Sequence, residues 1–247
     1  MKALILAAGY ATRLYPLTKE YPKPLLLVKN RPIIEYSIDK LSGLRNIDEI
    51  IIVTNSKFHP LFKEWRKTLK GIKKKIRLVD DLTKSKDDRR GAIGDMHFVI
   101  QSLRVKDDLI VIGGDNIFDA ELERFFSFTK KHLLNPVIGV YDVKRKTSAA
   151  HYGVIKLDKD KRIIDFKEKP QNPDSTLVAM CLYYFPKKKV CLVKEYMDTR
   201  AGSYDAIGLY IDWLRKKEFV YGFVFKGSWY DIGQHKALRD AEQYFPD

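Results

Sequence analysis

The 247-residue chain has two cysteines, Cys181 and Cys191. That is too few for a disulfide framework, so the fold does not depend on an oxidising compartment and a cytoplasmic location is expected. No apolar run approaches the ~18–20 residues of a membrane-spanning helix, so no membrane partner is expected. The apolar N-terminal stretch stops at Gly9 and turns polar and basic, which makes a poor signal peptide. There is no long linker, internal repeat, low-complexity tract, RNP pattern or zinc spacing. None of the five histidines sits in a catalytic motif. His151 and His235 come nearest, and both read as structural.

What is abundant is positive charge. With 46 basic and 32 acidic residues, the formal charge is +14. Such a surplus raises nucleic acid as a partner. The lysines are spread widely, however, in Lys73–Lys75, Lys130-Lys131, Lys187–Lys189 and Lys216-Lys217. Solvated faces explain them without a nucleic-acid partner. Many lysines against few Gln and Asn also fit a thermophile.

The length suits one large domain able to bury a core without disulfides. In the first half, apolar runs alternate with amphipathic stretches. Strands are expected at Ala3–Leu6, Glu49–Thr54, Lys75–Val79, Leu109–Ile112 and Val137–Val140, and helices at Pro32–Leu41, Pro60–Leu69, Ile93–Leu103 and Ala120–Lys131. This alternation predicts an α/β fold with a doubly wound, mostly parallel, Rossmann-like sheet, whose ligands sit beyond the carboxyl ends of the strands. The second half reads as richer in hairpins. Tyr152–Leu157 and Ile163–Phe166 flank a polar turn, and Thr176–Phe185 and Phe219–Phe225 are further strands. Val190–Tyr196, Ile207–Lys216 and Gln234–Tyr244 read as helices. The expected organisation is a single domain, 1–247, whose two halves, at about 1–140 and about 141–247, differ in character.

The N-terminal segment reads Leu6-Ala-Ala8-Gly9-Tyr-Ala11-Thr-Arg13-Leu, followed by Pro22-Lys23-Pro24-Leu25. Small residues let backbone N–H groups approach an anion, and Arg13 and Lys23 add two fixed cations. The segment is neither a dinucleotide fingerprint nor a P-loop, since it lacks the later glycines and a G-K-[ST] ending. Taken alone, it could equally be an ordinary turn with a surface arginine. Further along, Asp115 follows the apolar run Leu109–Ile112, and Asp231 lies in Trp229-Tyr-Asp231-Ile-Gly233. A strand-end aspartate alone is more often a turn former or helix cap.

Taken together and in order, these segments resemble the sugar nucleotidyltransferases, which write L-A-[AG]-G-x-G-T-R-L, P-K-x-L, G-D-N and W-x-D-x-G. The resemblance implies an enzyme transferring a nucleoside monophosphate from an NTP to a sugar 1-phosphate. Mg2+ would be held by Asp115 and Asp231, with one or two carboxylates, phosphates and water completing its shell. It further implies that Arg13 and Lys23 are catalytic, contacting the leaving pyrophosphate and the α-phosphate. Ala8, Gly9, Arg13, Lys23, Gly91 and Gly94 would bind the nucleotide. Tyr152, Gly153, Glu168 and Lys169 would bind the sugar. No protein nucleophile is required, because a phosphate oxygen is already ionised at neutral pH.

The match to Gly113-Gly-Asp-Asn-Ile-Phe118 favours dTTP or UTP, and the resemblance as a whole favours glucose 1-phosphate as acceptor. Two positions depart from the family pattern: Ala11 and Cys181 stand where relatives have glycine. A cytidylyltransferase acting on a phosphorylated alcohol or another sugar phosphate, or a non-catalytic regulatory subunit of the same fold, stays open, as does a homo-oligomer. The larger relatives carry a C-terminal repeat domain, and none is expected within these residues.

Overall fold

The computed structural model describes residues 1–199 and 206–246. In chain order the strands are β1 (Lys2–Leu6), β2 (Leu27–Val28), β3 (Arg31–Pro32), β4 (Glu49–Thr54), β5 (Lys75–Asp80), β6 (Leu109–Gly113), β7 (Asn116–Phe118), β8 (Val137–Asp142), β9 (Gly153–Leu157), β10 (Ile163–Glu168), β11 (Leu177–Phe185), β12 (Tyr221–Phe225) and β13 (Trp229–Asp231). The helices are α1 (Ile33–Gly43), α2 (His59–Thr68), α3 (Gly91–Ser102), α4 (Leu122–Lys131), α5 (Lys146–Ala149), α6 (Leu192–Asp198), α7 (Ile207–Lys217) and α8 (His235–Tyr244). This is the mixed α/β fold, with a largely parallel central sheet flanked by helices, that the alternating pattern implies. Among the described residues, no helix is long and apolar enough to cross a membrane.

The chain divides into two compact units, each discontinuous in sequence. Unit 1 comprises Met1–Arg90, Val111–Leu122 and Gly227–Asp247; unit 2 comprises Gly91–Ile110 and Glu123–Lys226.

In unit 1 the strand order is β6–β1–β4–β5, and β1, β4 and β5 pair in parallel. All six residues of β4, Glu-Ile-Ile-Ile-Val-Thr, are buried. That near-continuous apolar run suits a parallel strand covered on both faces. Helix α1 buries Ile33, Ile34, Ser37, Ile38 and Leu41, which recur on one face at helical spacing. Between β2 and β3, Lys29 (φ 51°) and Asn30 (φ 58°) form a two-residue turn with both φ values positive, as a tight hairpin requires. A second small sheet joins β7 to β13, antiparallel. Behind it, Ile117 and Ile232 pack with Val28, Ile33, Ala241 of α8 and Phe245.

In unit 2, β9 and β10 form the expected antiparallel hairpin. Its turn is held by the Asp158 carboxylate, which accepts N–H bonds from Asp160 and Arg162. Strand β11 pairs antiparallel with β8 and β9, and β12 joins β8 in parallel. Phe125 of α4 stacks on Phe225 of β12 and meets Phe223 edge-on, closing one side of this core. The β11–β8 register breaks between Ala179 and Tyr183, the stretch that carries Cys181. Strand β12 begins at Tyr221 rather than Phe219. Phe219 is half-exposed, with the Arg162 guanidinium 3.9 Å over its ring.

Candidate active site

The unit 1 cluster is assembled at the end of β1. Ala7 donates its N–H to Val53 of β4 at 2.9 Å, carrying the β1–β4 pairing into the loop. The Ala8 carbonyl accepts from buried Asn55 Nδ2 at 2.8 Å, while Asn55 Oδ1 accepts from Phe58 N–H at 2.9 Å. Ala11 is left-handed, and its carbonyl accepts from the buried Thr18 hydroxyl at 2.8 Å. The short helix Thr12–Leu14 then buries Leu14 and leaves Arg13 exposed. A second short helix, Lys23–Leu25, buries Pro24 and Leu25 and leaves Lys23 half-buried.

Asp115 reaches the same place through a close backbone approach. Gly114 N–H donates to the Leu6 carbonyl at 2.8 Å, and a Cβ at Gly114 would lie 2.9 Å from that oxygen. Glycine is therefore required for β6 to end beside β1. Lys23 Nζ donates to Asp115 Oδ2, and Asn116 Nδ2 donates to Asp115 Oδ1 at 2.9 Å. Burial alone would raise the Asp115 pKa. The Lys23 ammonium and the Asn116 amide outweigh it and hold the carboxyl below its ordinary value.

The β7–β13 pairing then delivers the second carboxylate. Asp231 lies opposite Asn116 in register, and Ile232 N–H donates to the Asp115 carbonyl at 2.9 Å. Trp229 Nε1 donates to Asn116 Oδ1 at 2.7 Å, so Asn116 bridges the two motifs. Around Gly233, a Cβ would lie 3.7 Å from an Arg13 terminal nitrogen and 3.9 Å from each Asp231 oxygen. His235 Nε2 donates to the Tyr15 carbonyl at 3.1 Å and ties α8 to the Arg13 loop. Two carboxylates and two cations thus gather in unit 1.

The unit 2 cluster forms on the β9–β10 pair. Gly153 lies opposite Glu168, and Lys169 N–H donates to the Tyr152 carbonyl at 3.1 Å. Lys169 Nζ is 3.7 Å from Glu168 Oε1. Burial raises the Glu168 pKa, and the Lys169 charge only partly offsets it. Gly91 (φ 75°) and Gly94 lie in the first turn of α3, a separate element of the same unit.

The nucleotidyl transferase family model matches residues 2–247. The chain belongs to that family. Its relatives include the bifunctional protein GlmU of Methanocaldococcus jannaschii, 29% identical over 249 residues, covering 100% of this chain and 55% of that one. GlmU of Methanococcus aeolicus is 27% identical, covering 99% and 54%. The chain spans about half the length of these curated relatives. Its fold is shared with the crystal structure of a protein assigned as a glucose-1-phosphate thymidylyltransferase from Bacillus anthracis, in complex with sucrose. There the TM-score is 0.75 at 24% identity, over 98% of this chain and 94% of that one. Family membership agrees with the resemblance carried by the sequence motifs.

In this nucleotidyl transferase, four residues to which the sequence reading gives no role organise the unit 1 cluster: Asn55, Thr18, Asn116 and Trp229. Asn116 and Trp229 fall inside the quoted motifs. Asn55 and Thr18 act through backbone carbonyls and leave no pattern in sequence. The donor set also fits magnesium. No group of three or more His, Cys, Asp or Glu side chains gathers among the described residues. A hard cation that keeps water and substrate phosphates in its shell needs only one or two carboxylates.

Proposed function

We propose that the chain transfers a nucleoside monophosphate from an NTP to a sugar 1-phosphate and releases pyrophosphate, with dTTP or UTP as donor and glucose 1-phosphate as acceptor. The observation that carries this reading is the unit 1 cluster, where the β7–β13 pairing sets Asp231 opposite Asn116, Lys23 pairs with Asp115, and Arg13 lies beside Gly233. Two cations beside two carboxylates suit a polyanion bound with a divalent ion. Asp115 and Asp231 would hold Mg2+, which when bound neutralises phosphate charge and polarises the reacting phosphoryl group.

The chemistry asks little of the protein beyond charge and alignment. Acceptor and donor are both anions, and Arg13 and Lys23 lower their repulsion and fix their phosphates. Ala8, Gly9 and Gly91 offer backbone at helix starts or loops where anions and base edges can approach. Glu168, half-buried and hydrogen-bond accepting, suits the hydroxyls of a sugar, because charge-assisted hydrogen bonds are the strong ones. Lys169 supplies a cation for the sugar phosphate. Two cysteines with no disulfide between them fit work in the cytoplasm.

The test is pyrophosphate release with Mg2+, screening dTTP, UTP, CTP, GTP and ATP against glucose 1-phosphate, other sugar 1-phosphates and phosphocholine. Release that needs dTTP or UTP together with glucose 1-phosphate is expected. Release only with CTP and phosphocholine would replace the proposal by the alcohol-phosphate reading. Absence of release with every pair would overturn it.

A further inference from the structure

Resting on the reading of Glu168 as the acceptor of sugar hydroxyls, we propose that Gly208, in the first turn of α7, is a positioning residue that sets where the Glu168 carboxylate stands. Gly208 is buried inside a regular helix, and its φ is not among the positive values of the chain. Backbone geometry therefore does not demand glycine there, and glycine weakens a helix relative to alanine. Space is what demands it. A Cβ on Gly208 would overlap Glu168 Oε2 and would lie 2.8 Å from two atoms of the Phe166 ring.

Phe166 and Glu168 are alternate residues of β10, so both project from one face of the strand. That face is the one against α7. A Cβ on Gly153 of β9 would likewise overlap the buried Phe166 ring, so both glycines make room for it. Almost fully enclosed, the rigid ring has little room to shift. The Glu168 carboxylate, by contrast, is the free end of a flexible side chain. An added methyl at Gly208 is relieved most cheaply by swinging that carboxylate outward, which leaves the fold intact and moves the hydrogen-bond acceptor. The half-buried setting that raises the Glu168 pKa is the same one that Gly208 keeps open.

The experiment compares wild type, Gly208→Ala, Glu168→Gln, Glu168→Asp and the double variant Gly208→Ala/Glu168→Asp. Two readouts are used: KM values with dTTP and glucose 1-phosphate, and Glu168 carboxyl titration followed by NMR in the ligand-free protein. Gly208→Ala is expected to raise the KM for glucose 1-phosphate about tenfold, the loss of one charge-assisted hydrogen bond. The KM for dTTP and the thermal midpoint should stay near wild type. The Glu168 titration should fall towards the ordinary carboxylate value as the group swings into water. Glu168→Asp, one methylene shorter, clears the added methyl and should recover part of the lost affinity in the double variant.

An unmoved Glu168 titration in Gly208→Ala would overturn the proposal whatever the substrate proves to be. So would an equal rise in both KM values, or absence of rescue in the double variant, since Gly208 would then only fill packing space. If the titration shifts but Glu168→Gln leaves the glucose 1-phosphate KM unchanged, the positioning stands and the sugar-acceptor reading of Glu168 falls.

Discussion

At Ala11 a side chain occupies a left-handed conformation, φ 47° and ψ 40°. The loop needs that conformation because the Ala11 carbonyl is held by both Thr18 and Leu14. The left-handed penalty for a non-glycine residue is about 1–2 kcal/mol, while glycine gives the unfolded chain about 0.5–1 kcal/mol of extra entropy. The first effect is larger, so Ala11→Gly should stabilise the protein by roughly 0.5–1 kcal/mol and raise the melting temperature by about 1–4 °C. A lower melting temperature would show that the Cβ contributes packing that outweighs the backbone cost. Asp115 poses a different question. Its carboxylate is held ionised by Lys23 and Asn116, and Asp115→Asn keeps the shape while removing the charge. Turnover should fall on the order of a hundredfold or more, as when one fixed transition-state contact is lost, with the circular dichroism spectrum unchanged. Near-normal turnover would remove Asp115 from the phosphate and metal chemistry.

At the scale of elements, the parallel ladder carries its own charge lock. Lys2, Glu49 and Lys75 lie side by side across β1, β4 and β5. The buried Glu49 carboxylate is 3.3 Å from Lys2, 3.3 Å from Lys75 and 2.7 Å from Arg77 Nε. Burial alone would raise the Glu49 pKa, but the three cations outweigh it and hold the carboxyl below its ordinary 4.5. A depressed folded pKa means that stabilisation is fully present above the unfolded value and is lost as pH falls through the folded one. Glu49→Gln should therefore destabilise by about 1–3 kcal/mol at neutral pH. In denaturant titrations the gap between variant and wild type should close as the pH drops below 4.5. A gap independent of pH would mean that side-chain shape, not charge, does the holding.

These long elements are the ones legible in sequence. Strand β4 carries an uninterrupted apolar run and falls at its expected bounds, and α1 shows its period in Ile33, Ile34, Ile38 and Leu41. The hairpin β2–β3 and the pair β7–β13 escape such a reading, because two or three residues hold no period to detect. The aspartates at Asp115 and Asp231 are visible as motifs. What joins them is not, since Trp229 and Asn116 bond across a separation of 113 residues.

For the whole molecule, the telling fact is that Gly227–Asp247 belongs to unit 1, while the strand just before it, Tyr221–Phe225, belongs to unit 2. The chain crosses between units in a few residues, and the returning segment brings both Asp231 and the apolar anchors that hold it. Ile232 is fully buried against Val28, Ile33 and Ile117, and its N–H is spent on the Asp115 carbonyl. Trimming it to alanine leaves a cavity in a cluster drawn from three distant parts of the sequence. Ile232→Ala should cost about 2–5 kcal/mol. Its local signature separates this account from a purely sequential one. Native-state hydrogen exchange should speed up in α1 and β7, remote in sequence but in contact with Ile232. Amides of β12, nearer in sequence yet in the other unit, should keep their protection. Loss of protection concentrated in β12 instead would mean that the C-terminal segment draws its stability from its neighbours along the chain, and the division into units would have to be redrawn.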